Sequence, residues 1–119
     1  MRVQRGDIVL VDFPYSNHTG SKMRPALVVQ SDVWNQRLNT TMLAGITSNL
    51  HRRVGAPTQY FIDLETTDGQ QSGLHFNSVV RCDKLITSNQ SRIQGIIGRP
   101  SEASMAEIDT CLKAALGIP

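Results

Sequence analysis

Six short apolar runs, each cut off by proline, glycine or a polar segment, constrain this chain more than any other feature. The first, Ile8-Val9-Leu10-Val11-Asp12-Phe13, follows the turn Arg5-Gly6-Asp7 and stops at Pro14. The second, Ala26 to Gln30, is opened by Arg24-Pro25, and proline at a strand's first position removes no ladder hydrogen bond. Thr41 to Ile46, Gln59 to Leu64, a run between Gly73 and Asp83, and Ser91 to Gly98 complete the set. Their length and β-branched content predict strands. Gly95 and Gly98 predict a bend or bulge in the last of them.

The segments between are of other kinds. Residues 15–23 are polar, contain Gly20 and lack periodicity, which predicts a loop. Ser31 before Asp32-Val33-Trp34-Asn35-Gln36 predicts a capped turn of helix, residues 51–57 a basic loop, and Asp68-Gly69 a turn. Only after Pro100 does the apolar spacing change to threes and fours, at Met105, Ile108, Leu112 and Leu116. Ser101 supplies an N-cap, Glu102 favours the positive end, and Gly117 is placed to stop the helix. Six strands and one amphipathic helix predict a mainly β fold, a small curved sheet or barrel covered on one side by a C-terminal α-helix. At 119 residues the chain has room for one domain, 1–119, with a real core.

Composition narrows the function classes. The charged fraction of 18% and mean hydropathy of -0.21 are those of a soluble globular protein, and no apolar stretch approaches the roughly 18 residues of a membrane span. With no signal-peptide core after Met1, the expectation is a cytoplasmic protein with no membrane partner. Cys82 and Cys111 are too few for a disulfide framework and stand at no metal-ligand spacing from His18, His51 or His75, so reduced thiols, no metal and no cofactor are expected. The net charge of +2 hides an asymmetry. Arg81, Lys84, Arg92 and Arg99 face Asp83 alone between residues 79 and 100, whereas Glu102, Glu107 and Asp109 outweigh Lys113 after it. A basic middle suits phosphate.

Chemistry concentrates in Asn77-Ser78-Val79-Val80-Arg81-Cys82-Asp83-Lys84-Leu85. Residues two apart on an extended chain share a face, so Arg81 and Asp83 are expected side by side at a strand end. An ordinary surface salt bridge accounts for that spacing equally well.

Four pieces in order distinguish the two readings: Arg5-Gly6-Asp7 before an apolar strand, Arg24-Pro25 after a polar loop, Thr47-Ser48 ending the third strand, and Val79-Val80-Arg81-Cys82-Asp83. Together they resemble the MazF/PemK/Kid toxins of type II toxin-antitoxin systems over residues 5–116, and the Arg-Cys-Asp tripeptide is most similar to the Kid/PemK branch. The resemblance implies a homodimer of SH3-like barrels of the CcdB/MazF type with an added helix. It implies a metal-independent, sequence-selective endoribonuclease that cuts single-stranded RNA and so inhibits translation and growth. It also implies a cognate antitoxin whose acidic segment fills the RNA groove, with operator DNA met only indirectly through that antitoxin.

Metal-free RNA cleavage uses the ribose 2′-hydroxyl as nucleophile, so the protein must accept its proton, stabilise the phosphorane and protonate the 5′-oxygen. The resemblance gives the base position to Asp83, which Arg81 should keep ionised. A guanidinium gives up its proton too reluctantly to be a good acid, so Arg81 reads first as a phosphate clamp. Arg24 is the matching Arg-Pro arginine and would share the phosphate charge, and the resemblance places Thr47 in the active site. His18, of the one side-chain type that ordinarily exchanges a proton near neutrality, is the candidate proton donor. Ser48, Arg52, Arg53, Phe76 and Lys84 are candidate RNA contacts, Phe76 by stacking a base. Trp34, Cys82 and Cys111 are left to packing.

Two departures from the family pattern matter. The first loop reads His18-Thr19-Gly20-Ser21-Lys22, without the carboxylate many members carry there, so the base role falls on Asp83 alone. Lys84 and Ile86 stand where many members have glutamine and a second arginine. Two other readings stay open: a CcdB-like, non-enzymatic poison of DNA gyrase on the same fold, and an inactive barrel serving as an interaction module. The tail Leu116-Gly117-Ile118-Pro119 lacks the tryptophan such gyrase binders present.

Overall fold

Near-continuous apolar runs, rather than cleanly alternating ones, belong to strands buried on both faces, and both faces are buried here. The computed structural model describes residues 2–14, 21–50 and 56–119. Within them β1 (Ile8–Pro14), β2 (Ser21–Val28), β3 (Thr40–Thr47), β4 (Gln59–Ile62), β5 (Ser78–Asn89) and β6 (Ile93–Gly98) form one antiparallel sheet in the order β4-β5-β3-β2-β1-β6. The helices are α1 (Asp32–Arg37), α2 (Thr67–Gln71) and α3 (Glu102–Leu116), with a 3-10 turn at Gln90–Arg92. One face of the sheet, from Ile8, Leu27, Ala44, Ile46, Val80 and Cys82, packs on Ile108 and Leu112 of α3. The other gathers Val9, Val11, Ala26, Val28, Leu43 and Ile93 with Val3. This is the mainly β fold with a C-terminal helix that the runs predict.

The sheet's outer strands, β4 and β6, are linked through α2. The Arg99 N–H donates to the Gln71 carbonyl at 3.1 Å. Gly73, at φ +74, lies so close to β6 that a Cβ there would stand 1.9 Å from the Ile97 carbonyl oxygen. Asp68-Gly69, expected as a turn, lies inside α2 instead, because Thr66 caps this helix by accepting from the Gly69 N–H at 2.9 Å. Asp68 then reaches the start of α3, where Oδ1 accepts from the Ser101 N–H at 2.7 Å and Oδ2 from the Ser104 hydroxyl. Those bonds, Ser104's first, hold its carboxyl below the usual carboxylate range. Helix α3 has the predicted ends, with Ser101 accepting from the Ser104 N–H and Gly117 left-handed at φ 72. Its apolar stripe runs on past Leu112 to Ala115, and Leu116 is exposed.

The Arg5-Gly6-Asp7 turn is a fastening. Buried Asp7 accepts from the Gln4 N–H and pairs with Arg99, while Arg5 reaches Asp109 on α3 at 2.7 Å and the Val29 carbonyl at 2.9 Å. Other boundaries differ from the expected ones. β2 begins at Ser21, so the end of the predicted first loop is strand. β6 carries register shifts against β1 on either side of Gly95 and Ile96, the irregularity that its glycines predict.

Candidate active site

β5 does not end at Asp83, as the sequence suggests, but continues to Asn89 around a bulge. Arg81 opposes Gly45 and Leu85 opposes the next residue back, Ala44, so Cys82, Asp83 and Lys84 are inserted between consecutive pairs with β3. The Cys82 N–H turns to β4's side of the sheet and donates to the Thr58 carbonyl at 3.0 Å. Bulges of this kind re-aim side chains at one point of an otherwise regular sheet.

Register assigns the faces. Directly opposed residues of an antiparallel pair project to the same side. Arg81 opposes Gly45 on β3 and Gln59 on β4, and Val79, two residues earlier, opposes Thr47. Gly45 in turn opposes Ala26 on β2, two residues after Arg24. Arg24, Thr47 and Arg81 therefore share one face across three adjacent strands, the face opposite α3. Arg24 is exposed and Thr47 half-buried.

Arg81 and Asp83 form a two-point contact, Nε donating to Oδ1 at 3.2 Å and Nη2 to Oδ2 at 3.1 Å, with side chains 23% and 32% exposed. Guanidinium and carboxylate are thus partly withdrawn from water but still reachable. Lys84 joins them because the chain opposite is glycine: a Cβ on Gly45 would stand 3.2 Å from Lys84 Cδ, so the lysine stem lies over this position. Sequence reasoning missed Gln59, whose Nε2 donates to Asp83 Oδ1 at 3.4 Å. A polar residue leading into an apolar run was the only signal.

A groove of about 310 Å³ has walls that include Lys22, Arg24, Thr47, Ser48, His75 and Phe76 over a floor of Leu10, Pro25, Ile46, Leu74 and Ile97. Phe76, 70% exposed, is the most exposed large apolar side chain among the described residues. The described lining contains cations and no carboxylate. Thr47 belongs to both parts, lining the groove and sharing the face of Arg81; its hydroxyl oxygen accepts from the Asn49 N–H at 3.1 Å, which aims the hydroxyl proton elsewhere. Arg81, Asp83 and Lys84 are not in the groove wall, so the candidates divide between groove and pair. His18, Arg52 and Arg53, with His51, lie outside the described residues.

This order of strands and site residues can be set against known proteins. The family described as PemK-like, MazF-like toxin of type II toxin-antitoxin system matches residues 4–116. The chain belongs to that toxin family. Among curated relatives of the toxin, "Endoribonuclease MazF2" of Mycobacterium bovis is 32% identical over 120 residues, covering 99% of this chain and 100% of the relative. "Endoribonuclease EndoA" of Bacillus subtilis is 27% identical, covering 99% and 97%. A solved mycobacterial endoribonuclease in complex with its cognate antitoxin has the same fold, with a TM-score of 0.79 at 23% identity over 98% of this chain and 97% of the other. A MazE-MazF structure from Deinococcus radiodurans follows at 0.75 and 21%, each chain covered fully.

The toxin's remaining reactive groups sit elsewhere. Burial pushes the Cys82 thiol up to about 12, and its sulfur faces the Ile108 carbonyl at 3.8 Å. Cys111 is also raised by burial. Neither offers a thiolate near neutrality. Trp34 is half exposed on α1, with the Arg37 guanidinium 6.0 Å from its ring centre, and is not the core packing residue the sequence suggests. Among the described residues no three His, Cys, Asp or Glu side chains come together as a metal-binding group.

Proposed function

We propose that this toxin is a metal-independent, sequence-selective endoribonuclease cutting single-stranded RNA, mRNA above all, and thereby halting translation and growth in the cytoplasm. The observation that carries the reading is the two-point Arg81–Asp83 contact on the sheet face shared with Arg24 and Thr47. Asp83 takes the proton of a ribose 2′-hydroxyl, and the 2′-oxygen attacks the adjacent phosphorus. Negative charge grows on the non-bridging oxygens, where Arg81, turning from Asp83 to the phosphate, and Arg24 stabilise it. Thr47 adds a hydroxyl donor. The bond from phosphorus to the 5′-oxygen breaks, His18 protonates that oxygen, and the products carry a 2′,3′-cyclic phosphate and a 5′-hydroxyl.

The groove suits an unpaired nucleotide, with apolar floor for a base, Phe76 for stacking and Ser48 for ribose or backbone; Lys84, Arg52 and Arg53 are assigned to the RNA backbone on charge alone. Paired RNA presents neither a splayed base nor a backbone free to align for in-line attack. An antitoxin would place an acidic segment in the same cationic groove of a toxin homodimer, and would be the toxin's only link to operator DNA; relatives have been solved with an antitoxin bound. Incubating the purified toxin with single-stranded RNA, and in parallel with gyrase and relaxed plasmid, tests the proposal. Cut RNA and unimpaired supercoiling support it; intact RNA with inhibited gyrase supports a CcdB-like poison.

A further inference from the structure

We propose that Gln59 is a positioning residue for Asp83, an assignment that rests on the endoribonuclease reading above. Gln59 opens β4 directly opposite Arg81 and is only 8% exposed. Its Nε2 donates to Asp83 Oδ1 at 3.4 Å, and its Oε1 is buried with no hydrogen-bond partner among the described residues. An unsatisfied buried carbonyl opposes folding, and an aliphatic side chain of similar length would avoid it. The amide cannot be turned over to better effect, because that would set its oxygen against the carboxylate. The site thus retains an unpaired acceptor in order to keep a donor on Asp83.

The bulge explains the need. Cys82, Asp83 and Lys84 are inserted between consecutive pairs with β3, and the beginning of β4 contacts this insertion through the Thr58 carbonyl on the Cys82 N–H and the Gln59 amide on the Asp83 side chain. When RNA enters, the Arg81 guanidinium is drawn to phosphate. The neutral amide of Gln59 has no such competing attraction, so it keeps its hold on Oδ1 while Oδ2, the oxygen that Arg81 Nη2 contacts at rest, takes the 2′-hydroxyl proton. Catalytic contacts of this length tighten on the bound substrate.

The test uses the full-length toxin, with Gln59→Met as the variant. In ¹⁵N-labelled wild type the Gln59 side-chain amide, identified by its loss in Gln59→Met, is expected to shift as pH falls and Asp83 protonates, and to stay still in Asp83→Asn. On single-stranded RNA, Gln59→Met is expected to lose about 10-fold or more in kcat with KM within about 2-fold, as for a misplaced reacting group. Its melting temperature should match or exceed that of wild type, since the unpaired carbonyl is gone. A purely structural glutamine would give the reverse, a lower melting temperature with unchanged kcat. A pH-invariant amide, a wild-type kcat in Gln59→Met, or a Gln59→Met chain that does not fold overturns the assignment. A wild-type protein that cuts no RNA overturns the endoribonuclease reading itself, and the amide titration would then still report whether Gln59 touches Asp83.

Discussion

Arg81 holds Asp83 by two hydrogen bonds, Nε to Oδ1 and Nη2 to Oδ2, from two positions along one bulged strand. Exposed pairs of this kind contribute about 0–1 kcal/mol to stability. In the proposed mechanism the pair instead sets a proton acceptor beside the cation that will meet the phosphate.

Removing either partner should therefore damage activity far more than folding. Arg81→Ala and Asp83→Ala are each expected to lower RNA cleavage by about 10²-fold or more, with the unfolding midpoint in urea shifted by no more than a surface pair's worth. Parallel cleavage assays and urea titrations check both halves.

Arg24 is exposed on the face of Arg81 and lines the groove, so its contribution is to charge and not to the core. Arg24→Ala should reduce kcat without altering stability. Arg24→Lys should restore only part of it, because an ammonium keeps the charge but lacks the planar fork that grips two phosphate oxygens. Single-turnover rates for the three proteins decide this.

The link between α2 and β6 depends on Gly73. A side chain there meets the Ile97 carbonyl and must adopt φ +74, so Gly73→Ala should lose at least about 1–3 kcal/mol. Gly95→Ala, with nothing within 4 Å, should be close to neutral. Denaturant midpoints of the two variants provide the contrast.

Asp68 makes stability pH-dependent. Its folded pKa is depressed, chiefly by the Ser104 hydroxyl, so its contribution is present above the unfolded carboxylate pKa and is lost as pH falls through the folded one. Asp68→Asn should melt lower than wild type at neutral pH, and the gap should close in acid below the ordinary carboxylate range. Melting curves across that range check the sign.

The terminal helix was legible except at Leu116, which is exposed, because caps and spacing agree: Ser101, the apolar positions at three and four up to Leu112, and Gly117 at a left-handed end. The strands were legible from composition, but their pairing hid what matters most. Cys82-Asp83-Lys84 contains no glycine or proline to mark a bulge, and the irregularity exists only because Gly45 and Ala44 pair with residues four apart. α2 was hidden for the opposite reason: Asp68-Gly69 is a strong turn signal, overridden by Thr66 three residues before the glycine. Gln59 was invisible because its role depends on which strand lies beside it.

In the proposed reaction Asp83, with Arg81, cleaves RNA through the 2′-hydroxyl without a metal. The most direct measurement is the end chemistry of single-stranded RNA incubated with wild type and with folded Asp83→Ala in excess EDTA. The expected result is fragments with 2′,3′-cyclic phosphate and 5′-hydroxyl ends from the wild type and almost none from the variant. Intact RNA, 3′-hydroxyl ends, or near-normal turnover by Asp83→Ala would contradict it.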